Sequence, residues 1–585
     1  MNALIQMSIY LVLLLLLAWP LGIYMARIYQ GKLPWPARPL RPLERLFYRL
    51  AGVDEEQEMT WHQYALALLL FNAAGFLVLY LLLRLQAWLP LNPDEQTAVS
   101  PALAFNTAVS FASNTNWQFY SGETTLSYLT QMLGLTVQNF LSAASGMAVL
   151  VALIRGLSRQ RTDKLGSFWV DMTRSVVYIL LPLSLLLALF LVSQGVVQAL
   201  AGAETVVLLD PTTAADGTAT STSLSAGVTT QTIARGPAAS QVAIKQLGTN
   251  GGGFFNVNSA HPLENPTPLS NLAEMLAILL IPAALCFTFG EMVGSRRQGV
   301  ALLAVMVIVF VAFLSAAAYA EQQGNPQLAA LGVDQAVSAA QPGGNMEGKE
   351  ARFGITNSAL WATATTAASN GSVNSMHDAY TPLGGLVPLV MMQLGEVIFG
   401  GVGSGLYGLL AFAIVAVFVA GLMVGRTPEY LGKKIEVFEM KMATLIILIP
   451  PLVVLLGTAV AVAIEGGQSG ATNPGPHGFS QILYAFSSQG NNNGSAFAGI
   501  NGSHPFYPIS GALAMLIARY WLIIPILAIA GSLARKQIIP AGVGTLPTDS
   551  PLFVGWLIVI VLLVGALAFL PALALGPIIE QLLLS

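Results

Sequence analysis

Charge is what this chain of 585 residues has least of: Asp, Glu, Lys and Arg together make up 9%, against 55% apolar residues. So few charged groups cannot cover a water-soluble body of this size, which excludes a soluble globular protein and implies a polytopic membrane protein. Cysteine is scarcer still. Cys286 stands alone inside an apolar run, so a disulfide framework and a cysteine-based metal centre are both ruled out. The formal net charge of −3 gives no basic footing for nucleic acid. Two nucleotide signatures are missing as well, the Asp-Lys-Thr-Gly phosphorylation motif and the Gly-x-x-x-x-Gly-Lys-Ser/Thr loop. No segment is therefore expected to bind nucleotide or to hydrolyse ATP.

What is present is a series of apolar segments of the ~20-residue length a bilayer requires. They fall at about 3–26, 62–84, 126–154, 172–200, 269–293, 298–320, 383–424, 440–464, 508–532 and 551–580, and predict an all-α fold of about ten spans. The first is not read as a cleaved signal peptide, because it lacks a basic n-region and is followed by basic residues instead of a small-residue cleavage site. Alternate connections are strongly unequal in charge. One set, running from Arg27 to Arg49, Arg155 to Arg174, Arg296 and Arg297, Arg426 to Lys441, and Arg535 with Lys536, holds 19 of the 25 basic residues. That set is predicted to be cytoplasmic, which puts both termini outside.

Four short polar loops interrupt this apolar pattern, all on the predicted outer side. They are Ser113-Asn114-Thr115-Asn116-Trp117-Gln118, Thr249-Asn250-Gly251-Gly252-Gly253, Ser369-Asn370-Gly371-Ser372-Val373-Asn374 and Gly490-Asn491-Asn492-Asn493-Gly494-Ser495. A single such loop reads equally as a connecting turn, since Gly and Asn are common turn formers. Four of them, each after helix-compatible sequence about half a bilayer long, read instead as re-entrant pore loops. The preceding stretches are 102–112, 240–247, 358–368 and 481–488. Irregular backbone at membrane depth persists only where protein buries it or a watery path needs it. Rings of backbone carbonyls that replace a hydration shell are the known basis of alkali-cation selectivity, so the expected ligand is K⁺. Residues 115, 251, 371 and 494 are spaced by 136, 120 and 123, the mark of repeats. Each unit starts on the same side, so the repeats are parallel around a pseudo-fourfold axis. The boundaries expected are 1–61 (first span and basic loop), 62–165, 166–297, 298–438 and 439–536 (four span–half-helix–loop–span repeats) and 537–585 (last span). The Ser/Thr/Ala-rich segment 202–240 and the Gln/Gly/Asn-rich segment 321–352 are expected to cover the mouth.

The strings SNTNWQ-x-YSGETTLSY (113–128), TNGGGFFNxNSAHPxENPT (249–267), SNGSVNSMHDAYTPLGG (369–385), YAFSSQGNNNGSAFAG (484–499) and GRTPEYLGKKIE (425–436) closely resemble the A subunits of bacterial potassium-transporting (Kdp) ATPases, and the resemblance runs over essentially the whole chain. That family lies in the superfamily of K⁺ transporters with four membrane–pore–membrane repeats. The resemblance implies a multi-pass subunit of the bacterial cytoplasmic (inner) membrane that binds K⁺ from outside and passes it sideways to a P-type ATPase. The catalytic subunit (KdpB) and accessory membrane subunits (KdpC, KdpF) are the implied partners. The filter residues it implies are Ser113, Asn114, Thr115, Asn116 and Gln118; Thr249, Asn250, Gly251 and Gly252; Ser369, Asn370, Gly371 and Ser372; and Asn492, Asn493 and Gly494. A stand-alone K⁺ channel or cation symporter of the same superfamily would share this filter and is the alternative. A membrane scaffold without transport leaves the four polar loops unexplained.

A second constellation lies deeper. Gly400, Gly401, Gly403 and Gly405 should break the 383–424 span, and a carboxylate at this depth, Glu396, points to function. The resemblance makes this stretch the obstruction below the filter; a wet helix end is the plainer reading of Glu396. Arg519 is the sole basic residue of its span and is expected on the pore axis near Glu396, where it would repel cations. Snorkelling to an interface is its alternative. His261, His377, His477 and His504 lie near the outer mouths without the ligand spacing of a metal centre. Asp378 and Glu264 are expected to add negative potential there. The basic stretch 27–49 reads as an orientation signal beside anionic lipid, or as a docking surface for partner subunits. A Gly251→Asp change is expected to weaken preference for K⁺ over Rb⁺ or Na⁺.

Overall fold

The computed structural model describes residues 3–584 apart from 213–227, 339, 340, 426, 503, 541, 543 and 544. Arg426, part of the charge pattern above, and parts of the two long outer segments lie outside the described residues.

Among the described residues, ten helices are long and apolar enough to cross a bilayer. Two of them start on a proline, Pro268 and Pro551, at the first helical position, where its missing N–H costs nothing. Side-chain caps add to this: Thr267 accepts from the Ser270 N–H at 3.0 Å and Ser550 from the Phe553 N–H at 3.2 Å.

The four repeats are visible in how these helices are buried. The second helix of each unit, Thr130–Ser158, Pro268–Met292, Ser404–Met423 and Phe506–Arg535, is 89%, 72%, 61% and 61% buried over its most apolar stretch. The first helix of each, Trp61–Trp88, Phe168–Ser193, Arg296–Ala330 and Val437–Ala463, is only 28%, 39%, 50% and 28% buried. An inner ring thus surrounds the axis, and an outer ring presents leucine-rich faces such as Leu185, Leu186 and Leu189 to lipid. Small residues let the inner helices meet closely. A Cβ on Gly156 would stand 2.5 Å from the Ala530 carbonyl oxygen, joining the inner helices of the first and fourth units.

One helix is added at each end. Ala3–Tyr29 lies along Pro268–Met292, where Tyr10 Oη donates to the Met275 carbonyl and Thr288 Oγ1 to that of Gly22, both at 3.0 Å. Pro551–Leu573 packs on Ser404–Val424, with Trp556 Nε1 donating to the Ala416 carbonyl at 2.9 Å.

Between the two membrane helices of each unit stands a half-length helix: Pro101–Ala112, Ala238–Leu247, Gly354–Ala367 and Gly475–Gly490. At ~1.5 Å per residue these reach ~15–24 Å, too short to span. The expected span 383–424 is two helices, Pro382–Gln393 and Ser404–Val424, separated by 394–403. In the outer segment 202–240 a hairpin pairs Glu204–Thr212 with Val228–Ile233.

Candidate functional site

Each pore helix ends on a loop with the same backbone signature. The second residue past each pore helix is left-handed in all four: Asn114 (φ 64°), Thr249 (46°), Ser369 (53°) and Asn492 (59°). The next, the middle residue, is not, and the one after it is left-handed again: Asn116 (55°), Gly251 (73°), Gly371 (89°) and Gly494 (100°). A non-glycine residue with positive φ is uncommon, and a β-branched one such as Thr249 is strained. Four in matching positions indicate one geometry imposed four times. The pore helices hold it from behind. The carbonyls of Ser110, Lys245, Thr365 and Ser488, each five residues before a middle residue, accept the N–H groups of Thr115, Asn250, Asn370 and Asn493 at 2.8–3.1 Å.

The loops touch in cyclic order. A Cβ on Gly251 would collide with the Asn370 carbonyl, one on Gly371 with that of Asn493, and one on Gly494 with that of Thr115. Glycine is required there because another loop's backbone fills the space. The fourth joint differs: Asn116 replaces the glycine, and its Nδ2 donates across to the Gly251 carbonyl at 3.1 Å. Side chains tie the same ring together. Asn114 Nδ2 donates to the Thr249 carbonyl at 2.9 Å, Ser369 Oγ to that of Asn492 at 2.8 Å, and Asn492 Nδ2 to Thr115 Oγ1 at 3.0 Å. Asn370 and Asn493 reach back to the carbonyls of Lys245 and Thr365, both at 3.0 Å.

The middle carbonyls are left over. Among the described residues, the oxygens of Thr115, Asn250, Asn370 and Asn493 accept no hydrogen bond. Buried carbonyls are ordinarily paired, so four unpaired ones at equivalent positions form a site. No carboxylate belongs to the loops, and the four helix C-termini add only partial negative charge. Neutral oxygens of this kind suit a weakly hydrated monovalent cation, whereas divalent ions call for carboxylates.

Not every expected filter residue sits in this ring. Ser113 caps its helix, its hydroxyl 2.8 Å from Thr115 Oγ1. The Ser372 carbonyl faces away, accepting from Trp361 Nε1 at 2.8 Å. Gln118 stands above the ring, bonded both ways to Gly253 at 2.8 and 3.1 Å. It lines, with Gly252, Gly371 and Gly494, an outer vestibule of about 840 Å³. Of the two segments expected to cover this mouth, the 321–352 stretch reaches it through Gly348, Lys349 and Glu350. Of the described residues of the 202–240 stretch, Ala203 meets the first unit's outer loop, its N–H donating to Asp94 at 2.9 Å.

The negative potential expected from Glu264 is cancelled locally, and that from Asp378 is reduced by an imidazole it shares with Glu580. Glu264 is buried against the equally buried Lys245, and Asp378 is paired with His477 at 3.0 Å. Two fully buried ion pairs, Lys245–Glu264 and Lys349–Glu321 (2.7 Å), therefore brace the second and third loops. Neither lysine stood out in the sequence as a partner of a carboxylate. The signal for Lys245 was its place in a half-helix one turn before Asn250.

Below the ring lies the broken helix. Gly395, Glu396, Phe399, Gly400 and Gly403 all have positive φ, so this backbone cannot continue as helix. The loop is fastened upward: the Val402 N–H donates to Thr249 Oγ1 at 2.8 Å and the Gly400 N–H to the Ala367 carbonyl at 2.7 Å. Gly401 faces Ser369 and Thr249, and Gly403 abuts the Gly146 backbone. Glu396 and Arg519 line one cavity of about 50 Å³ together with Ser369 and Asn492, space for an ion and a few waters. Both are buried, no ion pair within 4 Å joins them among the described residues, and Glu396 Oε1 has no hydrogen-bond partner. Arg519 is not snorkelled; its Nη2 lies 3.4 Å from the Ser142 carbonyl on the neighbouring inner helix, that of the first unit. The cavity continues sideways between helices, past Pro450, Pro451, Gly565 and Ala568.

The family model described as KdpA, potassium-transporting ATPase A subunit, matches residues 8–582. Curated relatives named potassium-transporting ATPase potassium-binding subunit include one from Sorangium cellulosum, 68% identical over 99% of this chain and 98% of its own length. Another, from Herpetosiphon aurantiacus, is 66% identical over 100% of this chain and 99% of its own. Among solved structures, the potassium transporter TrkH from Vibrio parahaemolyticus matches at a TM-score of 0.48 with 13% identity, covering 79% of this chain and 86% of that one. The chain belongs to the family of potassium-transporting ATPase A subunits.

Proposed function

We propose that this chain is the K⁺-binding and translocating subunit of an ATP-driven potassium importer in the bacterial cytoplasmic membrane. The observation that carries this reading is the ring of four unpaired carbonyls, Thr115, Asn250, Asn370 and Asn493, at the ends of four pore helices. A K⁺ ion exchanges its hydration shell for these oxygens. The ring is held to size by the joints between loops, which resist collapse around a smaller ion.

Arg519 and the 394–403 loop close the route straight down. The guanidinium places a fixed positive charge below the filter, and Glu396 beside it offers a carboxylate to an ion that has come through. The cavity past Pro450 and Gly565 supports a sideways exit to a P-type ATPase subunit, which supplies the nucleotide chemistry. The KdpB, KdpC and KdpF subunits are the partners this reading requires. The basic connections lie in the cytoplasm, with both termini outside.

The test is K⁺ flux into liposomes holding the purified chain alone, paired with Rb⁺ binding on the same sample. Tight binding without flux is the expected result. Selective flux without a partner would instead mark a channel or symporter.

A further inference from the structure

The segment after the first span holds a feature that ion handling does not use. Residues 35–51 form a short 3₁₀ turn, Trp35–Leu40, running into the helix Arg41–Ala51. The helix has three faces. One is buried: Glu44 accepts from Tyr48 Oη (2.8 Å) and Tyr178 Oη (2.6 Å) and pairs with Arg174 at 3.1 Å. The second is apolar yet bare, with Leu46, Phe47 and Leu50 49%, 46% and 75% exposed; Trp35 beside it is 79% exposed. The third carries Arg41, Arg45 and Arg49, four residues apart and all exposed, with Arg38 and Lys32 exposed just before them.

We infer that residues 35–51 are an interfacial anchor that binds anionic phospholipid, with Trp35, Leu46, Phe47 and Leu50 at the acyl boundary and the arginines on headgroups. Depth argues for the bilayer. The Glu44 partners Arg174 and Tyr178 lie within the first turns of the membrane helix that begins at Phe168, ~9–15 Å along it. A helix held at that level has lipid beside it, and an exposed apolar face there is buried without any protein partner. Charge argues for anionic lipid. From Gln30 to Gly52 five cations are exposed and the one carboxylate, Glu44, is consumed by Arg174. The acidic run that follows, Asp54, Glu55, Glu56 and Glu58, lies past the left-handed Gly52 and off the helix; Glu58 is paired with Arg159, and Glu55 shares Arg174 with Glu44 at 3.8 Å. Trp at an interface and arginines reaching headgroups from beside it are the usual components of such an anchor.

Hydrogen exchange of residues 35–51 tests this on the full-length chain in nanodiscs, which expose both leaflets and make the result independent of orientation. Exchange should be several-fold slower in phosphatidylcholine containing about one-third phosphatidylglycerol than in phosphatidylcholine alone, since each surface arginine is worth about fivefold in anionic-lipid affinity. The triple change Arg41→Gln, Arg45→Gln and Arg49→Gln should erase that difference and leave Rb⁺ binding intact. Glutamine is a good helix former, so the helix itself persists. The change Leu50→Ser with Trp35→Ser should speed exchange in both lipids. Equal exchange of the native chain in the two lipids would overturn the inference. So would protection that arises in neutral lipid only when the ATPase partner is added, which would make this face a protein-docking surface.

Discussion

Gly371 shows how much of the filter depends on single atoms. Its φ of 89° is foreign to any side chain, and a methyl group there would strike the Asn493 carbonyl and the Gly494 backbone. Left-handed strain alone costs about 1–3 kcal/mol, and the collision moves a proposed ligand. Gly371→Ala is expected to lower K⁺ affinity at least ~10-fold and to erode preference over Na⁺, read as displacement of Rb⁺. Gly475→Ala is the control: it has similar φ, 68°, but nothing within 4 Å, so ion binding should not change. Unaltered competition in Gly371→Ala would remove the third loop from the filter. Asn114, Asn116, Asn492 and the glycines of these loops were legible in sequence because few other residues accept positive φ. The strained Thr249 was legible only as a polar residue. Its N–H donates to the Gln246 carbonyl behind the loop and its hydroxyl accepts from the Val402 N–H beneath it, contacts that no local pattern records.

At the scale of elements, the floor loop 394–403 depends on Thr249. Thr249→Val keeps the shape but leaves the buried Val402 N–H without its acceptor, a cost of about 1–3 kcal/mol. The expected outcome is a measurable passive K⁺ leak in liposomes that the native chain lacks; an equally tight variant would mean the floor is held elsewhere. The break in this span was legible from its glycines, whereas its attachment to residues some 150 positions earlier was not. A second element is fastened at the outer rim. His477, in the first turn of the fourth pore helix, sits between Asp378 (3.0 Å) and Glu580 (2.7 Å). Hydrogen bonds to these two carboxylates push its imidazole pKa from 6.5 up to about 10. A raised folded-state value means that this contribution to stability is complete below pH ~6.5 and is lost progressively as pH rises toward about 10. The melting temperature of the native chain should therefore fall between pH 7 and 10 more than that of His477→Gln.

Across the whole molecule, the recurrence of a half-length helix and polar loop between membrane helices was readable from loop spacing. The division into an inner and an outer ring was not. Lipid and protein interior are equally apolar, so hydropathy cannot tell Thr130–Ser158, 89% buried, from Trp61–Trp88, 28% buried. The course of the sideways cavity was not readable either, because its wall is assembled from four helices distant in sequence, Ser404–Val424, Val437–Ala463, Phe506–Arg535 and Pro551–Leu573. Gly565 faces Leu394 at that wall. Gly565→Trp is expected to fill the opening and to abolish ATP-driven K⁺ uptake in the assembled complex while Rb⁺ binding stays within about twofold of native, a change under ~0.5 kcal/mol. Retained uptake would send the ion by another road.

One fastening has a consequence for traffic through the protein. The hydroxyl of Thr249 holds the floor, and its backbone is part of the ceiling. A trapdoor hung from the sieve cannot swing without tearing the mesh. Letting ions drop straight through would spoil the very sorting that admitted them. The sideways exit proposed above would leave the mesh undisturbed, so that discrimination and delivery could run in the same molecule at the same moment.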